Sequence, residues 1–155
     1  MGDFKEEPYH VELKPDAEPH HARAYPTPRI HEATLELEVE RLCKVGVIRK
    51  VNHSEWAALS FLIPEKDKTV RFIIDFRELN KRIKRKPFSI SRTQDVLLKL
   101  EGFTCAASLN LNVAYYTIRL DPDSRKYCTI VFPFEKCEYL RLPMGSKNSP
   151  DVFQE

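Results

Sequence analysis

Neither charge predominates in this chain, cysteines are few, and no long apolar run occurs; each lack removes a class of protein. Its 25 basic and 23 acidic residues leave a formal net charge of +2, so bulk charge assigns no partner and only local clusters matter. The four cysteines, Cys43, Cys105, Cys128 and Cys137, form no C-x-x-C pair and have no spaced histidine pair to match them. They support neither a zinc site nor a disulfide framework and read as reduced, partly buried thiols. His20 and His21 adjoin each other among Pro19, Pro26 and Pro28, and neighbours in sequence do not share a helix face, so no metal site is expected there. No stretch approaches the roughly 20 apolar residues of a membrane helix. Met1 to Glu6 lack the charged start and apolar run of a signal peptide. A soluble intracellular protein without a membrane partner is expected, with neither internal repeats nor low-complexity segments.

What is present suits one folded body: 155 residues, 42% of them hydrophobic, are enough to bury a core. Residues 1 to 29 hold Pro8, Pro15, Pro19, Pro26 and Pro28, which disfavour a regular element, although His10 to Leu13 could pair as an edge strand. From Pro28 to Lys44, Leu35, Val39, Leu42 and Cys43 share one helical face above a solvated acidic run, and Gly46 ends the helix. Leu59, Phe61 and Ile63 alternate in period two, as do Val70, Phe72 and Ile74 after a polar turn at Lys66-Asp67-Lys68, which predicts a twisted hairpin. Ser91-x-x-Gln94 reads as a capping box opening a helix from Arg92 to Glu101, with Val96, Leu97 and Leu100 as its apolar stripe. Strands are expected at Thr117 to Asp121 and Tyr127 to Phe132, and a turn from Pro133 to Glu138 before Tyr139-Leu140.

Two runs carry more than structure. In the first, Leu109, Leu111 and Val113 alternate with Ser108, Asn110 and Asn112, a strand pattern that points Asn110 away from the core. In the second, Arg141-Leu142-Pro143-Met144-Gly145 leads to Ser149-Pro150, an N-cap and first-turn pair whose helix start can receive a phosphate or base. Between hairpin and helix lies the strongest basic cluster, Lys81, Arg82, Lys84, Arg85 and Lys86, which follows the Asp75-Phe76-Arg77 strand. It reads either as a contact for nucleic-acid phosphates or as a solvated loop.

In this order the two runs resemble motifs A and B of the reverse transcriptase palm, in the form carried by LTR retrotransposons of the Ty3/gypsy type. Trp56 to Asn80 resembles the fingers of the same family, and the resemblance covers residues 9 to 155. It implies an α/β (α+β) fold: a fingers lobe plus partial palm, a mostly antiparallel sheet with packed helices. The expected divisions are an extended segment over 1–28, a fingers-like region over 29–102 and a partial palm over 103–155. By resemblance, the partners are an RNA or DNA template-primer and a deoxynucleoside triphosphate, and the family's cofactor is Mg²⁺. Lys66 and Arg71 would hold the triphosphate, Tyr115 would stack beneath the sugar and exclude a 2′-hydroxyl, and Met144 and Gly145 would line the nucleotide. Asp75, Arg77 and the Lys81 to Lys86 cluster would face nucleic acid.

One departure decides the expected chemistry. Where the family reads L-D-L, this chain reads Leu109-Asn110-Leu111, so an amide replaces the first metal-binding aspartate. Nucleotide addition uses two divalent ions about 3.5 to 4 Å apart, and Mg²⁺ wants anionic oxygen ligands. The family's Tyr/Phe-x-Asp-Asp hairpin does not occur in the sequence, Glu65-Lys66-Asp67-Lys68 lacks the usual turn glycine, and Val113-Ala114 stands where Ser-Gly is usual. The expectation is therefore a reverse transcriptase fragment that binds no catalytic metal and does not polymerise. The alternative is a non-catalytic nucleic-acid, nucleotide or protein-interaction module, with self-association through an uncovered palm edge.

Overall fold

A computed structural model describes residues 2, 7–64, 70–89, 92–100, 102–105, 107, 111 and 113–154. Leu35, Val39 and Leu42, spaced for one helical face, are the buried residues of α1 (Arg29–Lys44). Its C-terminus closes in a Schellman arrangement: Gly46 takes φ +73°, its amide reaches the Cys43 carbonyl at 3.1 Å, and the Val47 amide reaches that of Leu42 at 2.9 Å. The chain then passes directly into β1 (Ile48–Lys50).

β2 (Ala58–Pro64) and β3 (Val70–Asp75) form the expected antiparallel hairpin, whose tip at residues 65–69 lies outside the described residues. With β4 (Thr129–Val131) and β5 (Lys136–Tyr139) they make one five-stranded sheet in the order β1-β5-β4-β2-β3. Only the β2–β4 pairing is parallel, so the sheet is mostly antiparallel, as expected, and takes strands from both sides of residue 102.

The hairpin's core face differs from the one that Leu59, Phe61 and Ile63 mark out. Ala58, Leu62 and Ile74 pack against the core while Ile63 is 42% exposed. Ser60 shares the inner face and is buried because its hydroxyl donates to the Val131 carbonyl at 3.0 Å. A satisfied serine is tolerated there, and both faces of the strand carry apolar residues, so alternation alone does not choose between them.

Past β3 the chain turns earlier than expected. The Asp75 carboxylate accepts the Arg77 amide at 3.0 Å, an Asx turn that ends the strand, and α2 (Arg77–Arg82) follows. Glu78 supports it through Lys81 at 2.5 Å and Arg82 at 2.9 Å, the i,i+3 and i,i+4 pairs of a helix. α3 (Thr93–Lys99) also departs from expectation. It has no buried residue, Val96, Leu97 and Leu98 being 43%, 61% and 71% exposed, and Arg92 at its N-cap makes no side-chain cap. The capping-box residue Ser91 lies outside the described residues.

Two expected strands are shorter because turns intrude. A 3₁₀ turn occupies Ala114–Thr117, leaving only single bridges from Arg119 to Arg141 and from Leu120 to Tyr9. A second, led by Pro122 with its fixed φ, runs to Cys128 before β4. The hairpin turn is likewise tighter than 133–138, since the Phe132 amide reaches the Glu135 carbonyl at 2.8 Å. In place of an edge strand, the N-terminal segment forms a strap. Its Tyr9, Leu13 and His21 make isolated bridges to Leu120, Ile83 and Ala57, and Val11 is 3% exposed.

The alternating run of motif A is not a strand at residues 107, 111 and 113; Leu109 and Asn110 lie outside the described residues. Leu111 is 64% exposed. Val113 has φ +48°, and a left-handed backbone costs an L-residue about 1–2 kcal/mol. Val113 is 39% exposed and loses little burial. After the entropic cost of glycine, Val113→Gly should raise stability by about 0.5–1 kcal/mol. A lower urea midpoint for the variant would mean that Val113 does not hold that conformation.

Candidate functional site

The Met144 to Asn148 loop is built from both sides. From α2, the Asn80 side-chain amide donates to the Gly145 carbonyl at 2.9 Å, and its oxygen accepts the Lys147 amide at 2.8 Å. Lys147 returns its Nζ to the carbonyls of Asn80 at 2.9 Å and Ile83 at 3.1 Å. Gly145 takes φ +89°, and a Cβ there would lie 3.7 Å from both the Ile74 carbonyl and the Phe76 ring. The loop thus rests its backbone on the end of β3, which requires a residue free to adopt positive φ.

Beyond the loop, α4 (Ser149–Gln154) begins at Ser149 as expected, but the serine does not cap it. Its hydroxyl donates to the Pro143 carbonyl at 2.7 Å and tightens the loop instead. Asn148, 1% exposed, donates to the Tyr9 hydroxyl at 2.9 Å and the Lys84 carbonyl at 3.0 Å, tying the strap to the loop. Its Oδ1 has no partner. Tyr115 packs edge-on against Phe153 of α4, ring centres 5.6 Å apart. Tyr115, Gly145 and β3 are therefore linked through α4 and the loop, and Met144 is 44% exposed beside Gly145. Arg71 is exposed on β3, three residues before Ile74 and so about 10 Å along the strand. Lys66 and Asn110 lie outside the described residues.

Asp75 and Arg77 are occupied with each other. The Asp75 side chain is 17% exposed and its Oδ2 is 2.6 Å from Arg77 Nη2; the hydrogen bonds from the guanidinium hold the carboxyl below its usual range. Arg77 itself is 84% exposed. The basic cluster is paired as well. Lys81 and Arg82 meet Glu78, whose carboxyl they hold down to about 2. Arg85 lies 3.8 Å from Asp151, and Glu12 of the strap meets Lys84 at 3.4 Å and also Lys86. None of these carboxylates lies within the cluster's own run, so the sequence shows the cations and hides their partners. Sequence reasoning also missed Asn80, Lys147 and Asn148 as organisers of the loop. Asn80 and Lys147 join only when α2 and the loop meet, a contact that no local spacing announces.

Asn110 offers a neutral carbonyl where a hard cation wants a carboxylate. Among the described residues, no three His, Cys, Asp or Glu side chains converge on one point. Three of the thiols have the expected buried or half-buried surroundings: burial pushes Cys128 and Cys137 up to about 12, and Cys137 also faces Cys43. Cys105, in contrast to the expectation, is exposed. Among the described residues, no helix is long and apolar enough to cross a membrane.

The fold is that of the polymerase region of reverse transcriptases. Native prototype foamy virus protease-reverse transcriptase superposes with a TM-score of 0.83 at 23% identity, over 99% of this chain and 20% of that one. The foamy viral enzyme in complex with an RNA/DNA hybrid superposes with a TM-score of 0.81 at 20% identity, over 99% and 20%. The pattern of the reverse transcriptase (RNA-dependent DNA polymerase) family matches residues 63–155, and the chain belongs to that family. The Tf2-3 and Tf2-7 transposon polyproteins of Schizosaccharomyces pombe are each 29% identical to it over 132 residues, 85% of this chain. This chain spans about a tenth of the length of these curated relatives. The family and the retrotransposon type read from motifs A and B are thus those the comparisons give.

Proposed function

We propose that this reverse transcriptase domain binds template-primer and deoxynucleoside triphosphate but adds no nucleotides. Residues 1–28 act as a strap, 29–102 as a fingers-like region completed by β4 and β5, and 103–155 as the opening of a palm. Lys66 and Arg71 take the triphosphate, Tyr115 meets the sugar, and Met144 and Gly145 line the nucleotide. Arg77 and the basic cluster follow the backbone of the duplex. The foamy viral neighbours held on dsDNA and on an RNA/DNA hybrid support the choice of partner. Silence rests on one observation, the amide of Asn110 at the position of the family's metal-binding aspartate. The protein would act in the cytoplasm or nucleus. Primer extension on a template-primer with Mg²⁺ or Mn²⁺ should give no product, and incorporation would overturn the assignment.

A second reading, a protein-interaction module, is favoured by the surface of α3, where Leu97 and Leu98 stand exposed beside Val96 and Leu100. An apolar patch of this kind favours self-association. Sedimentation equilibrium should then show dimers that Leu97→Lys with Leu98→Lys dissolves; a monomer at every concentration would remove this reading.

A further inference from the structure

The carboxylates that neutralise the basic cluster differ in how they reach it. Glu78 is part of α2, and its pairs with Lys81 and Arg82 are helix-internal. Asp151 is 5% exposed at the side chain and also accepts the Phe88 amide at 3.0 Å, so it is bound into α4 and the incoming chain. Glu12 differs from both. It comes from the N-terminal strap, is 35% exposed at the side chain, and among the described residues is the carboxylate from a separate element that serves two cations of the cluster.

Its position is fixed by backbone rather than by the ion pairs. The Lys84 amide donates to the Glu12 carbonyl at 2.8 Å, the Lys14 amide to the Arg82 carbonyl at 2.9 Å, and Leu13 bridges Ile83. The strap is anchored on both sides of Glu12: Val11 is buried and its amide reaches Ser124 Oγ at 2.9 Å. The carboxylate is therefore held over Lys84 and Lys86 whether or not the ammonium groups stay with it. Both lysines keep much of their side chain in solvent, 65% and 50%. Exposed ion pairs of this sort are weak, so a phosphodiester can replace the carboxylate at either lysine. The displaced Glu12 remains close by and repels the incoming phosphate.

We propose that Lys84 and Lys86 form a contact for a nucleic-acid backbone and that Glu12 is its built-in competitor, an internal anion that a bound strand must displace. The idea rests on the reading of the chain as a template-primer binder, and it adds a residue that weakens the affinity. It also predicts the salt response. Cations already neutralised from within release fewer counterions when nucleic acid binds, and the salt dependence is shallower than the number of phosphate contacts suggests.

The test uses the whole chain and a short RNA/DNA hybrid duplex of arbitrary sequence, titrated at several salt concentrations from about 50 mM upward. Glu12→Gln, which keeps the shape and removes the charge, should bind about 3- to 10-fold tighter at the lowest salt. The slope of log affinity against log salt should steepen by about 1. Glu12→Lys should go further in the same direction, and Lys84→Gln with Lys86→Gln should bind more weakly and gain less from Glu12→Gln than the parent does. If the parent chain binds and Glu12→Gln matches it in affinity and slope, the competitor is refuted while the template-primer reading stands. If neither binds at the lowest salt, both fall together.

Discussion

Asn110→Asp should raise the affinity of this chain for a magnesium-bound deoxynucleoside triphosphate by at least about 100-fold, with no comparable change in EDTA. A unit charge about 4 Å from another is worth about 1 kcal/mol in bulk water and about 4 kcal/mol at a partly shielded protein site, and a divalent ion doubles either figure. Dehydrating Mg²⁺ takes back part of that gain, which leaves on the order of 3 kcal/mol, the same factor of about 100. An independent scale agrees: losing even an outer-shell partner of a metal site costs about 10- to 100-fold in affinity, and a direct anionic ligand belongs at or above the upper end. Calorimetric titration of the parent and Asn110→Asp chains with dTTP, with and without Mg²⁺, measures the difference. Equal, metal-independent binding by both would mean that position 110 does not face the metal and that the Asn110 amide is no cause of silence.

The same position shows how far the sequence could be read. Its identity and neighbours gave the family through Leu109-Asn110-Leu111, yet the strand inferred from that alternation is not found at residues 107, 111 and 113. Period two says which residues could share a face, and a face is buried only where a neighbouring strand exists. α1 was legible because everything that defines it is local: the spacing of Leu35, Val39 and Leu42, and a glycine at the one position that needs positive φ. The β2–β3 pairing was legible for the same reason, while its inward face was not, since that depended on the Val131 carbonyl accepting from Ser60. α2 escaped notice because a single Asp75 carboxylate bond redirects a strand that otherwise reads on through Phe76 and Arg77.

At the candidate site the division falls in the same place. Gly145 and Tyr115 could be named from motif resemblance; Gly145 lies in the loop over the end of β3 and Phe76, and Tyr115 packs against Phe153 of α4. The Asn80 clasp and the Glu12 pairs could not be named, because each joins segments remote in sequence. Charge was visible as a run of lysines and arginines; whether it is free or already spent on carboxylates is a tertiary property. This distinction matters for function, since counting cations overstates the field available to a phosphate backbone.

Phe76→Ala should destabilise the domain by about 3–5 kcal/mol, the largest stability effect expected of a residue next to the site. Phe76 is 2% exposed, its ring lies 6.2 Å from that of Tyr139, and one ring edge forms the floor beneath Gly145. Truncation removes buried area and leaves a cavity between α2, β5 and the loop, which rigid neighbours such as the nearly fully buried Tyr139 cannot fill. Against a total stability of about 5–15 kcal/mol, such a loss brings the domain close to unfolding, and the urea midpoint should fall sharply. Asn80 would then hold the Gly145 loop from one side alone. Asn80→Ala and Phe76→Ala should therefore be non-additive, with a coupling of at least about 0.5 kcal/mol in a double-mutant cycle. Strict additivity, or a cost below about 1 kcal/mol for Phe76→Ala, would show that the ring does not support the loop, and the site would then owe its shape to the hydrogen bonds of Asn80, Asn148 and Ser149.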